Sequence, residues 1–262
     1  MASSPPVILP TVRLGATGRQ DNWWISPLIV AIGFALCAGY ATWAILQGTD
    51  YYAAPYLSPF YSPCLAAQCP EEIRFIGLQS WSLSPAILIM AAVLGFRTTC
   101  YYYRKAYYRA YFLDPPACAV EEHRGTRYGG ETRFPFVLQN LHRYFLYLSL
   151  PILGFLWYDT LHAFRFADGF GIGLGSLILL VNVVLVSGYL FGCHSLRHLI
   201  GGRTDCFSCT RYAGPRHGVW RIASIFNRSH MYWAWTSLVF VCLADLYVRL
   251  VAMGVLTDLR LI

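Results

Sequence analysis

Two histidines and a cysteine pair carry the spacing of a metal site. In the run Phe191-Gly-Cys-His-Ser-Leu-Arg-His198, His194 and His198 stand four residues apart, on one helical face and about 6 Å apart along the axis. Gly201 and Gly202 can break that helix and turn the chain back, so that the hairpin of Asp205-Cys-Phe-Ser-Cys209 returns toward the histidine face. A Cys-x-x-Cys hairpin delivers two thiolates to one metal with little strain. The spacing therefore predicts that Cys206, Cys209, His194 and His198 are ligands, with Cys193 beside His194 as a rival. The bland alternative is a pair of hydrogen-bonded imidazoles at a helix end and two inert thiols.

Two metals suit such a set. Zinc would take it as a tetrahedral staple, whereas a Rieske-type 2Fe-2S cluster places two Cys on one iron and two His on the other. A centre at a membrane edge favours iron, because it can pass electrons to a carrier dissolved in the membrane. Haem b is the remaining redox option. It needs one His from each of two facing helices, and His142 and His230 could supply them. His162 is alone near the opposite edge, so a second haem has no ligand pair.

The elements that must position these residues are membrane helices. Of 262 residues, 56% are apolar and 13% charged, which excludes a water-soluble globule and a disordered chain. Five stretches reach the roughly 20 apolar residues of a span, at approximately 24 to 48, 83 to 103, 134 to 158, 172 to 196 and 230 to 254. The expected fold is all-α, a single transmembrane domain over residues 1 to 262. Pro151 falls inside the third span and should kink it. The N-terminal segment and the 97 to 143 and 197 to 228 connections hold 16 of the 20 basic residues. The positive-inside bias then places the N-terminus in the cytoplasm. Intramembrane charge, the mark of a transporter, is sparse: Asp159 and Asp245 lie near outer ends.

That orientation sorts the cysteines. Cys64 and Cys69 fall in the outer 49 to 82 loop, where oxidising conditions favour a short disulfide. Cytosolic reduction argues against a disulfide between Cys206 and Cys209. Cys37 and Cys242 are mid-span and read as small core hydrophobes.

Three runs carry a resemblance: Tyr51-Tyr-Ala-Ala-Pro-Tyr-Leu-Ser-Pro-Phe-Tyr-Ser-Pro-Cys64, Asn140-Leu-His-Arg-Tyr-Phe-Leu-Tyr147 and the Cys193-His to Cys-Phe-Ser-Cys209 region. Through them the chain resembles, over essentially its whole length, the membrane anchor subunit of succinate dehydrogenase or fumarate reductase (respiratory complex II), of the actinobacterial, mycobacterial type. The resemblance implies a bacterial inner (plasma) membrane location. It also implies a flavoprotein and an iron-sulfur subunit as partners, and membrane lipid and quinone, menaquinone or ubiquinone, as small-molecule partners. A higher oligomer of the complex is left open, and no nucleic acid is expected. The chain departs from two-haem anchors in lacking their further His ligands.

On this reading the basic connections, including Arg124, Arg127, Arg211 and Arg216, would dock the iron-sulfur partner. The quinone head group needs hydrogen-bond donors and apolar walls. Trp220, Ser224, Arg228, His230 and Tyr232, together with His142 and Tyr144 at the same level, are its expected contacts.

Overall fold

A computed structural model describes residues 13–122, 132–134, 136–202, 204–209 and 211–262. Arg124 and Arg127 lie outside these residues.

Helices dominate because long apolar runs leave the backbone no other way to satisfy its hydrogen bonds in a hydrocarbon layer. Helices α1 (Ile25–Gln47), α5 (Leu174–Phe191) and α8 (His230–Ala252) are each long and apolar enough to cross a membrane. On α1, Ile29 and Leu36 are more than 60% exposed, as expected of side chains that face lipid rather than water. Helix α4 (His142–His162) has 21 residues and runs through Pro151 as one element.

The second expected span is not one straight helix. Helix α2 (Ala86–Thr98) ends where Thr98 and Thr99 turn their hydroxyls back onto the Leu94 and Gly95 carbonyls. Cys100 is extended, and α3 (Tyr101–Tyr107) leaves at 76°. The fourth span also stops earlier than expected. Gly192 and Cys193 interrupt it, and α6 (His194–Gly201) and α7 (Ala213–Arg228) follow as separate helices packed on one another.

Helices α4, α5 and α8 form the centre, with α2 against α4 and α1 against α3 and α8. Close approach is built in at Gly188, where a Cβ would lie 2.5 Å from the Trp233 ring, and at Gly95, where it would lie 2.4 Å from Phe145. Small residues at such crossings let helix backbones meet.

The end of the bundle away from α6 and α7 is closed by the 49 to 82 loop. There β1 (Tyr52–Ala53) pairs with β2 (Tyr56–Leu57), and Cys64 is bonded to Cys69. Alkylation of the unreduced protein followed by mass spectrometry should leave both of these thiols unmodified; two alkylated residues would reject the bridge.

Asp245 and Arg249 are buried beneath this loop. Asp245 accepts from Tyr40 and Ser58 and pairs with Arg249 Nε at 2.8 Å. The same guanidinium donates to the carbonyls of Thr49 (2.8 Å) and Ala44 (2.7 Å). The charges that look sparse in the sequence are thus a fully bonded clip joining α8, α1 and the loop. Asp159 likewise accepts from Ser62 of that loop.

Candidate electron-transfer site

The structure does not assemble the metal set that the spacing predicts. Cys206 and Cys209 are joined to each other in a disulfide. His194 and His198 are exposed on α6, and His198 Nδ1 lies 3.3 Å from Arg143 Nη2. The chain does turn after Gly201, but the hairpin packs onto α7: the Phe207 ring lies 5.2 Å from His217 and 5.7 Å from Trp220. The aromatic contacts of Phe207 hold the hairpin on α7. Among the described residues, no three His, Cys, Asp or Glu side chains converge as a single ion requires.

A different set of two Cys and two His does come together, in pairs. Cys100 enters at the break between α2 and α3, His142 at the first residue of α4, Cys193 at the break after α5, and His230 at the first residue of α8. His142 Nε2 lies 3.3 Å from Cys193 Sγ, and His230 Nε2 lies 3.7 Å from Cys100 Sγ. Cys100 and Cys193 share one buried cluster, and His142 interacts electrostatically with His230. Each element delivers its Cys or His at an end or a break, where the side chain can turn inward without disturbing a continuous helix.

The imidazoles are held by their surroundings. His142 stacks on Phe96 (centroids 4.6 Å apart) and meets Thr99 Oγ1 through Nδ1 at 2.9 Å. His230 stacks on Tyr189 at 5.1 Å, and Phe96 and Tyr189 touch edge to face. The other His230 nitrogen, Nδ1, is buried without a partner. A Cβ on Gly192 would come within 3.0 Å of it, so glycine leaves this ring its place. Asn227 of α7 fixes the same turn by donating to the Gly192 carbonyl at 2.8 Å.

Of the residues expected to contact quinone, only His142, half-buried, and His230, buried, belong to this group. Tyr144, Arg228 and Tyr232 are exposed. Ser224 accepts from Arg197 and donates to the Trp220 carbonyl, while the Arg197 guanidinium lies 5.0 Å over the Trp220 ring. Cys100 is the residue the sequence reading missed.

Fold and site together define a helical membrane protein with a buried, paired Cys and His set at one end of its bundle. The family model for the actinobacterial succinate dehydrogenase subunit SdhC matches residues 25–254, and the chain belongs to that family. It is the membrane subunit of a succinate dehydrogenase complex. Among solved structures it is similar to a chain of the Mycobacterium smegmatis Sdh1 complex in the apo form, at 41% identity and a TM-score of 0.86, covering 99% of this chain and 100% of that one. No curated protein matches.

Proposed function

We propose that this subunit anchors the succinate-oxidising subunits to the bacterial plasma membrane and passes their electrons to a membrane quinone through a Rieske-type 2Fe-2S cluster held by Cys100, Cys193, His142 and His230. The observation that carries this reading is the buried meeting of two Cys and two His in Cys–His pairs. A two-iron cluster needs two ligands on each iron rather than four around one point; Cys100 and Cys193 would take one iron and His142 and His230 the other, so that each Cys–His contact would run from one iron's ligands to the other's. The donor set is that of a His-ligated cluster, and the unpartnered His230 Nδ1 is the kind of buried atom that a bound group leaves exposed when it is absent. Once bound, such a cluster supplies one-electron transfer at roughly −150 to +300 mV, a range that suits a mild reductant such as succinate better than the plant-type value of about −400 mV.

The chain's own residues give the site its properties. Phe96 and Tyr189 fix both imidazole planes, and the aromatic walls exclude water. Thr99 orients His142 through Nδ1, leaving Nε2 toward Cys193; such outer partners set which nitrogen binds a metal. All four ligands lie at helix ends or breaks on one side of the bundle, the side that the arginine distribution assigns to the cytoplasm. On this orientation α4 also crosses the membrane, giving five spans with the bent α2–α3 pair as one of them. The partner flavoprotein and iron-sulfur protein then meet the α6 and α7 face, where Arg211 and Arg221 are exposed.

The ligand assignment is tested by exchanging cysteines in the whole complex. Cys100→Ser with Cys193→Ser should lower its iron and acid-labile sulfide by one two-iron cluster, whereas Cys206→Ser with Cys209→Ser should leave both unchanged. The reverse result would return the site to the Cys-x-x-Cys hairpin. An absorption band of bis-His haem, lost with His142 or His230, would replace the cluster by haem b.

A further inference from the structure

A groove of about 510 Å³ lies between α4 and the 49 to 82 loop, at the far end of α4 from His142. Its α4 side is a single helical face, Pro151, Gly154, Phe155, Tyr158, Asp159 and His162, spaced three and four residues apart. Its loop side includes the run from Glu72 to Phe75, held to α4 by the edge contact of the Phe75 and Phe155 rings at 4.4 Å.

The groove has the depth of one membrane leaflet. From Pro151, near the middle of α4, to His162, its last residue, the helix rises about 16 Å. Half of a hydrocarbon core is about 15 Å. The inner part of the groove is apolar and open. A Cβ added to Gly154 would meet no atom within 4 Å, and Pro151 is exposed.

The charged groups of the groove belong to the last turn of α4 and to the loop. Arg74 gives Nε and Nη2 to the Cys69 carbonyl, at 3.0 and 2.6 Å. Asp159 accepts from Ser62, and Glu72 accepts from Tyr52. Among the described residues, none of these three charges takes part in an ion pair. Unpaired charges are ordinary on a face washed by water. Here they head a trough that runs along a membrane helix, where charged side chains are few and mark sites.

We propose that this groove seats one outer-leaflet phospholipid whose head group carries a primary ammonium. Its phosphate meets Arg74, its ammonium meets Asp159 and Glu72, and an acyl chain lies along the trough as far as Pro151. Charge complementarity selects that head group, because a primary ammonium brings both a positive charge and N–H donors to the carboxylates. An anionic lipid without the ammonium would set its phosphate against two carboxylates and leave them unpaired. A quaternary ammonium has no N–H to give. The seated lipid ties the loop to α4, at the end of the bundle where Asp245 and Arg249 tie it to α8 and α1. The site rests on α4 crossing the membrane with His162 outside, as in the reading above.

The test uses the purified whole complex, stripped of lipid in detergent and titrated with phosphatidylethanolamine, phosphatidylcholine or phosphatidylglycerol while native mass spectrometry counts the molecules retained. Phosphatidylethanolamine should add one saturable molecule held more tightly than either other lipid. Arg74→Gln should weaken it about fivefold, and Gly154→Phe should abolish it by filling the trough. A phosphatidylethanolamine with a photoreactive acyl chain should label the α4 peptide around Gly154 in the unaltered complex, which keeps the test open if a variant fails to assemble. Equal or tighter retention of the other two lipids, binding unchanged in both variants, or a label that avoids α4 overturns the site. Orientation is read separately from Ala167→Cys, at an exposed position just beyond α4, which an impermeant maleimide should reach from outside sealed spheroplasts. Outside labelling with no preference for phosphatidylethanolamine overturns the site and leaves the orientation standing. That preference with labelling only from the cytoplasmic side overturns the orientation and the outer-leaflet placement together.

Discussion

Replacing His142 and His230 together by alanine should abolish quinone reduction by the complex, while succinate oxidation with a soluble artificial acceptor continues in the partner subunits. The half-buried His142 meets Cys193 and the buried His230 meets Cys100, and alanine offers no donor in their place. The size of the effect separates this site from the exposed pair on α6. His194→Ala with His198→Ala should leave quinone reduction near its original rate, since both side chains are exposed on α6 and His198 Nδ1 lies against Arg143 Nη2 at 3.3 Å. Loss of quinone reduction in the α6 variant, with activity kept in the α4 and α8 variant, would contradict the assignment.

The largest effect on stability is expected at the opposite end of the bundle. Asp245→Ala leaves Arg249, 1% exposed, without its counter-charge and removes the acceptor of Tyr40 and Ser58. Breaking one partner of a buried pair costs about 3–5 kcal/mol, a large part of the roughly 5–15 kcal/mol that holds a typical folded protein together. The complex should then lose its membrane subunit on mild heating in detergent. Asp245→Leu combined with Arg249→Met should recover much of that loss, because two apolar side chains leave no buried charge behind. An unchanged melting temperature for Asp245→Ala would show that the clip carries little of the stability.

That the chain is mostly helical, with long apolar helices, was legible in the sequence because apolar runs are a direct consequence of the bilayer; the described residues hold three helices long and apolar enough to cross, or four if the bent α2–α3 pair is one span. Boundaries within the second and fourth spans were not legible. The break at Cys100 depends on Thr98 and Thr99 bonding back to their own helix, and the break at Gly192 depends on α7 and His230 crowding it; neither is a feature of local hydropathy. The same limit hid the site. His194, His198, Cys206 and Cys209 are close in sequence and so invite a shared metal, yet Phe207 draws the hairpin onto α7. Cys100, His142, Cys193 and His230 are far apart in sequence and meet only because four elements begin or end at one level. Three of the four were within view as candidates. Cys100 could have been found by asking which Cys and His side chains lie at one and the same end of every apolar run, a question of depth rather than of spacing.

Pulsed electron spin resonance reads out whether two histidines of this chain ligate a two-iron cluster. The complex, purified with histidine labelled by nitrogen-15 and reduced with dithionite, should give an iron-sulfur signal coupled to two imidazole nitrogens. That coupling should vanish with His142→Ala and His230→Ala and persist with His194→Ala and His198→Ala. A reduced complex whose iron-sulfur signals show no histidine nitrogen coupling would rule out His142 and His230 as cluster ligands.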